Sequence, residues 1–175
     1  SPILRVVVDT AQHHPTPDEI VGTLRELLPE FERAGVVLAI ENHDRFQARV
    51  LAQIIEEIGS PQVGICLDTV NSFGALEGPA QVVAALAPYV VNLHVKDFSI
   101  RRADHNMGFV LTGTPAGEGM LNLPWLFEVL NRYGQTYNAI LELWTPFQAD
   151  VDATAALEQT WAEQSVRNLR RYLKD

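Results

Sequence analysis

Five short, unbroken apolar runs, each followed by a helical pattern, constrain this chain more than any other feature. They are Ile3 to Val8, Val36 to Ile40, Val63 to Leu67, Tyr89 to Val95 and Ala139 to Leu143. Most are rich in Val, Ile and Leu, and their apolarity is continuous rather than alternating. That pattern suits strands buried on both faces, as in a parallel sheet covered by helices. The predicted element order is βαβαβαβαβα, an α/β fold. The opening run comes with no lead-in before it, so the chain is expected to begin inside a domain.

The helices carry their own start and stop signals. Thr16-Pro17-Asp18-Glu19 is a capping box with proline at the first helical position, and Ile20, Leu24, Leu27, Leu28 and Phe31 are predicted to make a buried stripe ending at Gly35. Val50, Leu51, Ile54, Ile55 and Ile58 mark a second helix that Gly59-Ser60-Pro61 ends. Pro79 opens a third and Asn122-Leu123-Pro124 a fourth. The last is predicted over Ala153 to Leu173, with Leu157, Trp161, Leu169 and Leu173 on one side. Residues 97–119 break the rhythm. This polar, glycine-containing stretch is too long for an ordinary connection of about 2–6 residues, so it is predicted to be a functional rim loop.

Composition narrows the function classes. The 175 residues hold 13 Lys and Arg against 22 Asp and Glu, a formal net charge of -9, which opposes attraction to phosphate backbones and anionic membranes. Neither nucleic acid nor membrane is an expected partner. Cys66 is the single cysteine, which excludes an intrachain disulfide and a cysteine-cluster zinc site. With no signal or spanning segment in the sequence, the expected location is the cytoplasm.

Ionisable residues stand at or just past the C-terminal ends of four of the runs: Glu41, Asp68, His94 and Glu142. In parallel α/β folds that edge is where sites form, because loops there vary freely and helices enter with their N-terminal dipoles. Glu41 and Asp68 are 27 residues apart and Asp68 and His94 are 26, one βα unit each, whereas His94 and Glu142 are 48 apart, one unit plus the long loop. Three carboxylates and an imidazole around one point repel one another unless a cation sits among them. An isolated strand-end acid often only caps the next helix. Four at successive strand ends are better explained by a shared divalent ion. Oxygen-dominated ligation with one nitrogen suits Mn²⁺ or Mg²⁺, with Co²⁺ or Zn²⁺ as alternatives.

The motifs Glu41-Asn42-His43, Leu67-Asp68-Thr69-Val70-Asn71, Leu93-His94-Val95-Lys96-Asp97, Gly117-Glu118-Gly119 and Leu141-Glu142 resemble, in order and spacing, those of the xylose isomerase-like (β/α)₈ barrel superfamily. That group includes sugar isomerases and epimerases, inosose dehydratase and the apurinic endonuclease. The resemblance implies a TIM-type parallel (β/α) barrel, with residues 1–175 as one domain supplying about five of the eight βα units, apparently units 4 to 8. It also implies that Glu41, Asp68, His94 and Glu142 bind the metal and that Glu41 and Glu142 form the catalytic acid–base pair. Asn71 stands where many members have histidine, which argues against the trinuclear zinc site of the endonuclease branch.

Substrate contacts are expected from His43, Asn71, Lys96, Arg101 and Trp144, and four of these also have a plainer reading. His43 and Arg101 could be solvated loop residues, Lys96 could form a rim salt bridge, and Trp144 could be core. The expected reaction is isomerisation or epimerisation of a small sugar or related polyhydroxy carbonyl compound through an enediolate. Dehydration of an inosose or dehydroshikimate type at the same site, or a sugar-binding barrel without catalysis, are the rival readings. A homo-oligomer is an allowed assembly, since such barrels often associate through helices or rim loops.

Overall fold

The computed structural model describes residues 2–134 and 136–173. Its parallel sheet has five strands in the order β1 (Ile3–Val6), β2 (Val37–Glu41), β3 (Val63–Asp68), β4 (Val90–Val95) and β7 (Asn138–Leu141). The helices are α1 (Pro17–Ala34), α2 (Ala48–Ile58), α3 (Pro79–Leu86), α4 (Leu123–Arg132) and α5 (Val151–Leu169). This is the βα alternation that the apolar runs predict, a TIM-barrel fragment. β1 pairs β2 with Arg5 opposite Ala39, and β2 pairs β3 with Glu41 opposite Cys66. That register carries Glu41 and Asp68 to the same end of their strands.

The described residues fall into two compact units, one holding the chain up to Leu93 with Val129–Ala139, the other His94–Glu128 with Ile140 onward. In the first, Ile40, Ile65 and Leu67 of the sheet and Leu51, Ile54, Val83 and Leu86 of α2 and α3 are buried. Every residue of β3 is buried, as a central strand with continuous apolarity requires. The capping box forms as read, with Glu19 N–H donating to Thr16 Oγ1 and Thr16 N–H to Glu19 Oε2. The Thr16 backbone donor, aided by the Thr16 hydroxyl, holds the Glu19 carboxyl below its ordinary value. In the second unit Phe98, Leu121, Leu126 and Phe127 are buried, and the Phe127 ring stacks on Tyr172 with centroids 5.1 Å apart.

Several boundaries differ from the sequence reading. β1 stops at Val6 because a turn closed by a Thr10–His13 bridge follows, so Val7 and Val8 extend no strand. The last helix starts at Val151, since Asp150 accepts Ala153 N–H at 2.7 Å and caps it, and it ends at Leu169. Residues 97–119 hold regular structure: β5 (Asp97–Arg102) and β6 (Phe109–Thr114) pair as an antiparallel hairpin. The signals that could have marked a hairpin are the modest alternation of Phe98 and Ile100 and the residues Asn106 and Gly108, which take positive φ at its tip.

The turn after β6 is held from both sides. Asp97, itself buried, accepts N–H groups from Phe98, Gly117, Gly119 and Leu121. From α5, Ser165 Oγ accepts Ala116 N–H and Asn168 Nδ2 donates to the Ala116 carbonyl. A Cβ on Gly119 would lie 2.2 Å from Asp97 Oδ1 and 2.5 Å from the Phe98 carbonyl oxygen, so only glycine lets the carboxylate approach its donors. Gly119→Ala is therefore expected to destabilise the fold by about 1–3 kcal/mol. Gly22→Ala, on α1 with nothing within 4 Å of the added methyl, should instead stabilise by about 0.5–1 kcal/mol. Denaturant melts of the two variants should move to opposite sides of the parent.

Candidate metal and catalytic site

In the first unit the parallel register sets Glu41 and Asp68 at the ends of neighbouring strands, both buried. Asp68 Oδ1 accepts the N–H groups of Val70 and Asn71, both at 2.8 Å, which bends the chain into a short 3₁₀ turn at Asn71–Ala75. That turn returns the Asn71 side chain to Glu41, where Nδ2 donates to Oε1 at 3.0 Å. Arg5 approaches the other oxygen, Nη1 to Oε2 at 3.0 Å. Glu41 is thus oriented from two directions.

Asn42 ties the two strand ends together. Buried completely, it accepts Asp68 N–H at 2.7 Å and donates Nδ2 to the Asp68 carbonyl at 2.9 Å and to Ser72 Oγ at 2.8 Å. The side chain acts as an added rung of the ladder where the backbone pairing stops. His43, next in the chain, has its Nδ1 3.8 Å from Asp44 Oδ1 with its side chain 41% exposed.

In the second unit His94 lies on β4 and Glu142 directly follows β7, whose chain is pinned by Glu142 N–H donating to the Val95 carbonyl at 3.1 Å. The side chains meet with His94 Nδ1 2.7 Å from Glu142 Oε2. Lys96, two residues on and so directed to the same side as His94, brings Nζ to 2.9 Å from Glu142 Oε1. Arg101 lies on the exposed hairpin beside Asp104, at 3.0 Å. Trp144 donates Nε1 to the Asp97 carbonyl at 3.1 Å and packs where Gly113 has no side chain, at the hairpin base.

The ends of β2 and β3 in the first unit carry Glu41 and Asp68, and the ends of β4 and β7 carry His94 and Glu142 of the second, each with one possible ligand atom. The donors are one ring nitrogen and three carboxylate oxygens, a hard, oxygen-rich set. The buried thiol of Cys66 is engaged by Asn92 Nδ2 at 3.4 Å. Sequence reasoning missed Arg5, hidden inside an apolar run, and Asn42, read only as part of a motif. The signal for Asn42 was a polar residue directly after an all-apolar strand.

The chain belongs to the family of xylose isomerase-like TIM barrels, whose model matches residues 6–172. It is 37% identical over 166 residues to 3-oxo-isoapionate decarboxylase of Pectobacterium atrosepticum, a match that covers 95% of this chain and 60% of that relative. Two solved structures share the fold. One, a xylose isomerase-like TIM barrel protein from Mycobacterium smegmatis in complex with magnesium, matches at TM-score 0.67 and 16% identity, over 95% of this chain and 62% of the other. The second, the IolI protein with a bound zinc atom, matches at TM-score 0.70 and 19% identity, over 99% and 64%. This chain therefore spans about three-fifths of the length of these proteins. No helix among the described residues is long and apolar enough to cross a membrane.

Replacing Asn42 with alanine removes three buried hydrogen bonds and strips the Asp68 backbone of its partner. At about 0.5–1.5 kcal/mol for each bond, Asn42→Ala should cost about 2–4 kcal/mol. Chemical denaturation measures this, and an unchanged midpoint would show that the strand ends hold without it.

Proposed function

We propose that this chain carries the metal-binding and proton-transferring half of an enzyme acting beside the carbonyl of a small polyhydroxy compound. Glu41, Asp68, His94 and Glu142 are its ligands, Mg²⁺ or Mn²⁺ its preferred ion, and residues 1–175 the C-terminal portion of one barrel domain. The single observation that supports this reading is that the four residues end strands β2, β3, β4 and β7, which follow one another in the sheet order. The donor set supports the fit, since three acids gathered beside an imidazole are tolerated only when positive charge accompanies them.

When bound, the ion supplies electrophilic stabilisation of the negative charge that develops on the substrate oxygen. The protein's own groups do the rest. Glu41, held by Asn71 and Arg5, and Glu142, held by Lys96 and His94, are the two proton carriers. The decarboxylase relative favours one version of the chemistry. In a 3-oxo acid the bond between the carboxylate carbon and the adjacent carbon breaks, its electron pair moves toward the carbonyl oxygen, and CO₂ leaves. A protonated glutamate then delivers a proton to the carbon, giving the ketone. Isomerisation or epimerisation would use the same pair differently: one glutamate removes a proton and the other returns one. His43, Asn71, Lys96, Arg101 and Trp144 are proposed as substrate contacts in either version.

The test is made on the full-length protein. Glu41→Gln and Glu142→Gln should each lower kcat/KM by about 10²–10⁴-fold, the usual contribution of general acid–base catalysis, with the fold retained by circular dichroism. Release of CO₂ from a 3-oxo sugar acid identifies the decarboxylase. Product of unchanged mass identifies an isomerase or epimerase. Normal turnover in both variants would remove the two glutamates from the chemistry.

A further inference from the structure

We propose that Glu77 is a positioning residue for the site: by capping α2 it fastens the turn that presents Asn71 to Glu41. The proposal rests on the functional reading above, in which Glu41 is a metal ligand and proton carrier. Every residue in the argument belongs to the first compact unit.

α2 begins without the usual help from its own sequence. Gln47, its N-cap, makes no side-chain hydrogen bond there, and the first turn holds no acidic residue. Ala48 is completely buried, so its N–H, which has no partner within the helix, cannot turn to water. Glu77 Oε2 accepts that N–H at 2.7 Å. A carboxylate from the loop after the next strand thus caps α2 and meets the positive end of its dipole.

The chain takes an unfavourable conformation to bring Glu77 there. The 3₁₀ turn at Asn71–Ala75 ends on Leu76, whose φ of 62° and ψ of 31° lie in the left-handed region where glycine is usual. That reversal lets Glu77 N–H donate to the Ser72 carbonyl at 3.1 Å. Midway along the turn, Gly74 passes so close to Asp44 that a Cβ would collide with that side chain. Residues 71–77 are therefore held against the segment after β2 along their length: Asn71 on Glu41 at one end, Ser72 on Asn42, Gly74 on Asp44, and Glu77 on Ala48 at the other. The near end pivots on Asp68 Oδ1, which holds the N–H groups of Val70 and Asn71. Beyond that pivot Glu77 sets the course of the chain, and the two together fix the direction of the Asn71 side chain.

The experiment uses the full-length protein and compares Glu77→Ala, Glu77→Asp and Glu77→Gln with the parent. Glu77→Gln keeps an acceptor at the same reach, whereas Glu77→Asp falls one methylene short. In the metal-free protein the Asn71 side-chain amide protons, assigned by their disappearance in Asn71→Ala, are followed by NMR. They should move toward the position of a solvated amide in Glu77→Ala and Glu77→Asp and stay near the parent's in Glu77→Gln. Mg²⁺ affinity, measured by calorimetry, should fall about 10-fold in Glu77→Ala, the lower end for groups that orient a metal ligand. Made on top of Asn71→Ala, the same change should cost less than about 2-fold, because both act through one contact. Unchanged amide signals with a lowered denaturation midpoint would make Glu77 a helix cap and nothing more, overturning the proposal while the functional reading stands. Losses of Mg²⁺ affinity that multiply in the double variant overturn it as well. A parent that takes up no Mg²⁺ sinks the functional reading and the site role of Glu77 with it. Should Glu77→Ala fail to fold, Glu77→Asp against Glu77→Gln carries the same comparison.

Discussion

A carboxylate taken out of water must be given back what water supplied, and this chain does so repeatedly within a short stretch of fold. Asp68 draws two N–H groups from the turn it initiates, and Asp97 draws four from the turn it encloses. Glu41 takes a guanidinium and an amide, and Glu142 an ammonium beside an imidazole. The local backbone follows from these demands. The 3₁₀ turn after β3, the close approach at Gly119 and the register of Arg5 are ways of delivering donors to a buried acid. Without that delivery the strand ends would carry charges too costly to keep there.

The two solutions differ in purpose. Asp97 is answered wholly by backbone donors, which cannot move without unfolding the turn, so its role is architectural. Glu41 and Glu142 are answered by side chains, whose rotamers can yield. A group that must exchange a proton or accept a cation needs partners of that kind, and the contrast separates catalytic candidates from structural acids on physical grounds. Asp68 lies between them, with one oxygen fixed by the backbone.

The strands and the four ionisable residues at their ends could be read from the chain because burial on both faces of a parallel sheet writes unbroken apolar runs, and a polar residue ending such a run is conspicuous. Arg5 was invisible for the converse reason: inside a run of Leu, Val and Ile, one charged residue looks like noise until register shows that it shares a face with Glu41. The hairpin at 97–114 was hidden by its charged tip, where Arg101, Arg102, Asp104 and His105 outweigh the modest alternation of its arms. The ends of β1 and α5 depended on a turn and a cap, local contacts that periodicity does not encode.

The hairpin and the turn that follows it have unequal freedom to diverge. At the tip, Asn106 and Gly108 close a bend bounded by a fixed antiparallel register, and Met107 and Phe109 stand open to solvent. Residues can be added or exchanged there without disturbing a single buried partner. The 115–121 turn has no such latitude, because α5 and Asp97 grip it together. New specificities in descendants of this fold should thus accumulate in the length and lettering of the tip, while the glycines beneath it stay as they are.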